Sequence, residues 1–175
     1  MSAVSVKNML EAGNYTSEGK DSTKEKVYEN IVDYLVVEGY PEDDNPNFKE
    51  NNMNDLVSTT IIPVIASFIR KTGRTTIQLS REKVIISEDE QTGGYEEFVV
   101  VDEITVSEEK CLLIIEAKRS SVSQATKQLM LAMKDARGGN QGGIIYGFVT
   151  TGTQWRMLKY DGKSFSKTEI MMLVF

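Results

Sequence analysis

The sequence contains no histidine and only one cysteine, Cys111, among its 175 residues. The lack of histidine excludes imidazole acid–base catalysis, Ser-His-Asp triads and imidazole metal ligands. A single cysteine cannot form an internal disulfide or a zinc site of several thiolates, and its place in an apolar run predicts a buried thiol. Any catalysis must therefore depend on carboxylates, lysine, hydroxyl groups or a metal ion.

Long hydrophobic runs are also missing. No stretch reaches the length of a membrane span, and Met1–Lys20 lacks the basic segment and apolar run of a secretory signal. We therefore expect a soluble intracellular protein, in the cytoplasm or the nucleus, without a membrane partner. The apolar fraction of 40% and the charged fraction of 26% are ordinary for a folded domain, and the length fits a single core.

The spacing of apolar and turn residues divides the chain into elements. Residues 1–22 are small and polar and predict a flexible tail, which leaves 23–175 as one domain. Helical spacing predicts three amphipathic helices, over 27–39, 54–70 and 121–137. Pro63 is expected to kink or divide the second helix. Strand patterns occupy 75–80, 83–87, a hairpin within 98–118, 144–150 and 154–160. This order predicts an α/β fold with a mixed sheet flanked by helices. The apolar end, Met171–Phe175, favours a longer parent protein with additional domains.

The most informative segment is Phe98–Lys118, where charged residues interrupt two strongly apolar runs. If the polar residues around Glu109 form the turn of a hairpin, the antiparallel register places Asp102 opposite Glu116. Strand alternation then puts Lys118 on the same face as Glu116. Two facing carboxylates repel each other unless a proton or a cation lies between them. Mg²⁺ (or Mn²⁺) suits such a pair because it prefers oxygen ligands.

The same residues resemble a known pattern. Val-Asp, thirteen intervening residues and Glu-Ala-Lys followed by a helix resemble the PD-(D/E)xK nuclease superfamily, which has the restriction-endonuclease-like fold. Within it, IIEAKRSSVSQATKQLMLAMKDAR and IYGFVTTGTQWRML are similar to nuclease-like domains of fungal and oomycete Crinkler-type proteins. The resemblance covers roughly residues 50–160, and Val101 stands where the pattern has proline. It implies a restriction-endonuclease-like mixed sheet and Mg²⁺-dependent hydrolysis of phosphodiester bonds, with DNA favoured over RNA.

The resemblance also implies roles for individual residues. Asp102, Glu116 and the backbone carbonyl of Ala117 would bind the metal ion. Lys118 would orient the attacking water or neutralise the transition state. Many members use another acid from the first helix, for which Asp55 and Glu50 are the candidates. Either can equally be a helix charge that complements the dipole.

Residues after the Glu-Ala-Lys segment are candidates for contact with the substrate. Gln124 and Gln128 share one face of the third helix, and Gln124 fits a capping box with Ser121 equally well. Arg119 and Lys127 begin a run of basic residues that could bind a phosphate backbone.

Two other interpretations remain open. The net charge of −6 opposes a broad electrostatic attraction to nucleic acid, which favours a catalytically inactive nuclease-like module that binds nucleic acid or a protein partner. In the third interpretation, Asp102 and Lys118 are solvent-exposed strand ends of a structural or interaction domain.

Overall fold

The computed structural model describes residues 20–41, 45–87, 93–106, 108–119 and 122–173. This part of the chain contains three helices and seven strands. The helices are α1 (Lys20–Glu38), α2 (Glu50–Thr72) and α3 (Val122–Gly139). The strands are β1 (Ile77–Ile86), β2 (Gly93–Thr105), β3 (Glu108–Ala117), β4 (Ile145–Thr150), β5 (Gln154–Tyr160), β6 (Phe165–Lys167) and β7 (Met171–Met172).

All seven strands belong to one mixed sheet. Its order is β1-β2-β3-β4-β5-β6, and β7 pairs with β5. β3 and β4 are parallel neighbours, whereas the other pairs are antiparallel. A parallel pair needs a long crossover, and α3 supplies it by connecting the end of β3 to the start of β4. The predicted α/β fold with a mixed sheet flanked by helices is confirmed.

Each face of the sheet has its own apolar core. On one face, α3 buries Leu129 and Met133 against strand residues such as Val99 and Ile114. The other face is covered by α1 and α2, whose buried residues contact these side chains: Phe98, Ile115, Ala117 and Trp155. The central strands are therefore apolar on both sides, which explains why β2 and β3 read as nearly continuous apolar runs.

The observed elements differ from the predicted ones in three places. α1 begins at Lys20, inside the expected tail of residues 1–22, and residues 1–19 lie outside the described part of the chain. The predicted strands 75–80 and 83–87 form one strand, which continues through Glu82 despite its positive φ of 52°. The predicted division of the second helix is wrong, because α2 continues through Pro63. Pro63 is itself buried, and packing on both sides of it outweighs the loss of one backbone hydrogen bond.

α2 is also the one helix in the described residues that is long and apolar enough to cross a membrane. This is weak evidence for a span, because 39% of its most apolar window is buried inside the protein. Core helices of soluble proteins pass the same test, and α2 covers one face of the sheet. The finding is consistent with the expected soluble protein.

The packing of α3 on β4 depends on Gly147. A Cβ atom at this position would lie 2.8 Å from Leu129 Cδ1 and 3.0 Å from Met133 Sδ. Both neighbours are fully buried, so relief of this contact requires repacking of the core around them. We expect Gly147→Val to lower the free energy of unfolding by about 1–3 kcal/mol through overpacking, measured by urea denaturation. Gly139→Ala, where a Cβ meets nothing within 4 Å, is the control. Equal stability of Gly147→Val and the wild type would contradict this packing.

Candidate functional site

The candidate site lies at the edge of the sheet where the parallel strands end. Ala117 and Thr150 pair at the carboxyl ends of β3 and β4, and the Lys118 N–H donates to the Thr150 carbonyl at 2.9 Å. α3 begins shortly after this point, and α2 begins nearby at Glu50. In open α/β sheets, ligands bind in the crevice outside the carboxyl ends of parallel strands. The fold therefore makes the side chains around Lys118 the candidate ligand-binding site.

The ammonium group of Lys118 lies among three carboxylates from three different elements. Its Nζ is 2.8 Å from Oε1 of Glu97 in β2 and 3.3 Å from Oε1 of Glu116 in β3. Oε1 of Glu50, in the first turn of α2, is 3.7 Å away. The second oxygen of Glu97 accepts a hydrogen bond from the backbone N–H of Ala117 at 3.0 Å. We call Glu50, Glu96, Glu97, Glu116 and Lys118 the carboxylate cluster.

Glu96 is the fifth member of the cluster and the most perturbed acid. Its side chain is buried, with 6% exposure. Burial, followed by the negative charge of Glu116, raises the pKa of Glu96 to about 7. A hydrogen bond between the two carboxyl groups acts in the same direction, since it favours the protonated form of Glu96. Near neutral pH this acid is close to its midpoint between the neutral and the charged form.

In the other charged groups of the cluster, burial and the oppositely charged neighbours shift the pKa in opposite directions. Burial raises the pKa of Glu116 and of Glu97, and in both cases it outweighs the opposing effect of Lys118. For the pKa of Lys118, the contacts with the carboxylates together outweigh burial. Burial alone would lower its pKa, but the hydrogen bond to Glu97 and the charge of Glu116 raise it above its ordinary value. Lys118 therefore stays protonated and acts as a fixed positive charge.

Two carboxylate oxygens in the cluster are buried and accept no hydrogen bond from an N–H or hydroxyl group in the described residues. They are Oε2 of Glu96 and Oε2 of Glu116. A buried acceptor without a partner is unfavourable, so a donor or a cation at this position would stabilise the folded protein. Within the described residues, however, no three acids are already arranged as the ligands of one metal ion. The ammonium group of Lys118 is the counter-ion in this arrangement.

The predicted pairing of Asp102 with Glu116 is wrong. β2 ends at Thr105 and β3 begins at Glu108, so the chain reverses between these two residues and not around Glu109. Asp102 pairs with Lys110, which is six residues before Glu116, or about 20 Å along the strand. Asp102 accepts hydrogen bonds from Thr76, at 2.5 Å, and from Arg74. These contacts lower the pKa of Asp102, and they form a surface ion pair at the far end of the hairpin.

The other candidates are divided between the cluster and the surface. Glu116 and Lys118 lie in the cluster, as the sequence predicted, and Ala117 contacts it through its N–H group. Of the two candidate helix acids, Glu50 reaches Lys118, whereas Asp55 forms an exposed ion pair with Arg81 at 3.2 Å.

The residues proposed to bind the substrate lie on the surface near the start of α3. Gln124, Lys127 and Gln128 are exposed residues of this helix. Arg119 is partly buried and donates from Nη2 to the Asn45 carbonyl at 2.9 Å. Arg119 thus contacts the loop that leads into α2.

Sequence reasoning missed Glu96 and Glu97. Phe98 pairs with Ile115, so Glu97 and Glu116 are the next residues along the two strands. The available signal was the pair of adjacent acids directly before the apolar run of β2. A hairpin prediction that reversed the chain between Thr105 and Glu108, and not around Glu109, would have placed Glu97 opposite Glu116.

Comparison of the chain with protein-family models and with curated proteins found no match. The candidate site is therefore described from its own geometry.

The raised pKa of Glu96 predicts a specific pH dependence of stability without metal. Between about pH 4.5 and 7 the folded state keeps a proton that the unfolded state has lost, so the free energy of unfolding falls as the pH rises. In Glu96→Gln this loss is absent, because the amide does not titrate and still donates to Glu116. We expect the variant to gain on the order of 2 kcal/mol relative to the wild type between about pH 5 and pH 8. Urea denaturation in a chelating buffer measures this difference, and parallel pH profiles would contradict it.

Proposed function

We propose that the protein is a metal-dependent nuclease that hydrolyses phosphodiester bonds, with DNA favoured over RNA as the substrate. The observation that carries this proposal is the carboxylate cluster at the carboxyl ends of β3 and β4, in which Glu97, Glu116 and Lys118 converge. The resemblance of the Glu-Ala-Lys segment to PD-(D/E)xK nucleases supports the same chemistry. Within this proposal, Glu97 takes the place that the sequence assigned to Asp102. As part of the same proposal, the protein acts in the cytoplasm or the nucleus.

The donor set of the cluster fits Mg²⁺ or Mn²⁺. All of its candidate ligands are carboxylate oxygens, which are the ligands these hard cations prefer. Two of those oxygens are buried and accept no hydrogen bond from an N–H or hydroxyl group in the described residues. Glu97 and Glu116 would hold the ion, and Glu50 or Glu96 would supply the further acid. When bound, the ion supplies a water of lowered pKa and stabilises negative charge on the phosphate.

The side chains of the cluster have distinct tasks in the proposed reaction. Glu97 and Glu116 would hold the metal ion, and their carboxylates would balance its positive charge. Lys118 remains protonated, because its pKa is raised, and it cannot serve as a general base near neutral pH. Its ammonium group instead stabilises the negative charge that develops on the phosphate and orients the attacking water.

An inactive nuclease-like module is the second candidate. The arrangement of the acids favours it, because Lys118 already pairs with three of the carboxylates and no ready-made group of three metal ligands occurs in the described residues. Such a module would keep the fold and bind nucleic acid or a protein partner. The two functions differ in whether the wild-type chain cleaves any nucleic acid with a divalent ion.

Cleavage of single-stranded and duplex DNA and of RNA, with Mg²⁺ or Mn²⁺, tests the proposal. We expect Glu97→Gln, Glu116→Gln and Lys118→Gln to lose at least about 100-fold in rate, since each removes charge that the transition state requires. Asp102→Asn is the matched control, because it also removes one carboxylate charge from the β2–β3 hairpin. It should retain the wild-type rate and lose at most a surface ion pair, worth about 1 kcal/mol or less.

Thermal unfolding of each variant shows whether a loss of rate reflects a loss of fold. No cleavage by the wild type with either ion would support the inactive module. Loss of activity in Asp102→Asn with the fold intact, together with full activity in Glu97→Gln, would reject the site described above.

A further inference from the structure

A cavity of about 540 Å³ opens beside the carboxylate cluster. Three parts of the chain that converge at this edge of the sheet surround it. Pro41, Phe48 and Met53 come from the loop before α2 and from its first turns, and Arg119 and Val122 come from the β3–α3 connection. The turn between β4 and β5 contributes Thr151, Thr153 and Gln154.

The cavity adjoins the cluster along the chain on two sides. Arg119 directly follows Lys118, and Phe48 precedes Glu50 by two residues. The hydrogen bond from Arg119 to the Asn45 carbonyl joins these two sides. A molecule in the cavity would therefore lie at the same edge of the sheet as a phosphate bound at the cluster.

The walls of the cavity combine apolar and polar surfaces. Phe48 and Met53 are almost fully buried and form an apolar floor. The β4–β5 turn adds the hydroxyl groups of Thr151 and Thr153 and the amide of Gln154, which provide donors and acceptors. The guanidinium group of Arg119 also lines the cavity, and its Nη2 donates to the Asn45 carbonyl. The exposed lining is mostly polar with a smaller apolar part, so a flat heteroaromatic molecule with several hydrogen-bonding edges matches this surface.

We infer that the cavity binds one unstacked nucleobase of the substrate strand, next to the phosphate at the carboxylate cluster. This inference rests on the proposed function and specifies its substrate as single-stranded or locally unpaired nucleic acid. The volume lies within the range of about 300–1,000 Å³ that is usual for small-molecule sites. A base must leave the duplex stack before it can enter such a pocket, so paired and stacked DNA is a poor ligand.

Binding without metal or cleavage tests the inference separately from the proposed function. The probes are a fluorescent oligothymidylate, the same strand with abasic residues in place of the nucleosides, and a duplex of equal length, all in a chelating buffer. The acidic cluster repels the phosphates of both single strands equally, so their difference reports the bases. We expect the oligothymidylate to bind about tenfold more tightly than either of the others.

Variants that fill the cavity locate the bound base. Val122→Tyr should reduce the affinity for oligothymidylate to that for the abasic strand, and Thr153→Tyr, in the β4–β5 turn, should do the same. Ser123→Tyr is the matched control, since it adds the same side chain at the next, exposed residue of α3. Thr153→Tyr keeps the test valid if Val122→Tyr does not fold.

The outcomes separate the inference from the proposed function. Base-dependent binding that both cavity variants abolish and Ser123→Tyr retains supports the inference, even if the wild type cleaves nothing. Equal binding of the thymidylate and abasic strands, equal binding of the duplex, or full affinity in a folded cavity variant overturns it, even if the wild type is an active nuclease.

Discussion

The structure depends on one electrostatic constraint, the enclosure of the Lys118 ammonium group by carboxylates from β2, β3 and α2. Glu116 is buried with only 3% of its side chain exposed, and an isolated charge there would be strongly unfavourable. The ammonium group makes this burial tolerable, yet the pKa of Glu116 remains raised. The cluster thus holds more negative charge than one lysine neutralises, and the proton on Glu96 relieves part of the excess. A divalent cation would relieve it more completely.

The fold brings these groups together through the topology of the sheet. The parallel β3–β4 pair requires the α3 crossover, and this crossover places Lys118 and Arg119 at the carboxyl edge of the sheet. The N-terminal end of α2 approaches the same edge, where its dipole favours negative charge. The carboxylate cluster and the neighbouring cavity therefore share one structural origin. That common edge is the reason to assign the phosphate to the cluster and the base to the cavity.

The sequence predicts the fold and three of the five residues of the cluster. Periodicity alone identified α3, β4 and β5 to within one or two residues, because strong amphipathic patterns and glycine-containing turns mark their ends. Glu116 and Lys118 were recognisable because charge is rare beside an apolar strand. The partner acid was not, because the register of a hairpin depends on where it turns. Glu108–Lys110 resemble a turn in composition, but they form exposed strand residues, and Lys83 pairs with Glu109 at 2.6 Å. A shift of the turn by about two residues exchanged Glu97 for Asp102.

Anomalous diffraction from crystals of the protein grown with Mn²⁺ tests the central claim most directly. The account predicts an anomalous peak in contact with the carboxylates of Glu97 and Glu116, with Lys118 displaced from between them and Asp102 still paired with Arg74. A crystal with no Mn²⁺ at the cluster, or with the ion bound at Asp102, would contradict it.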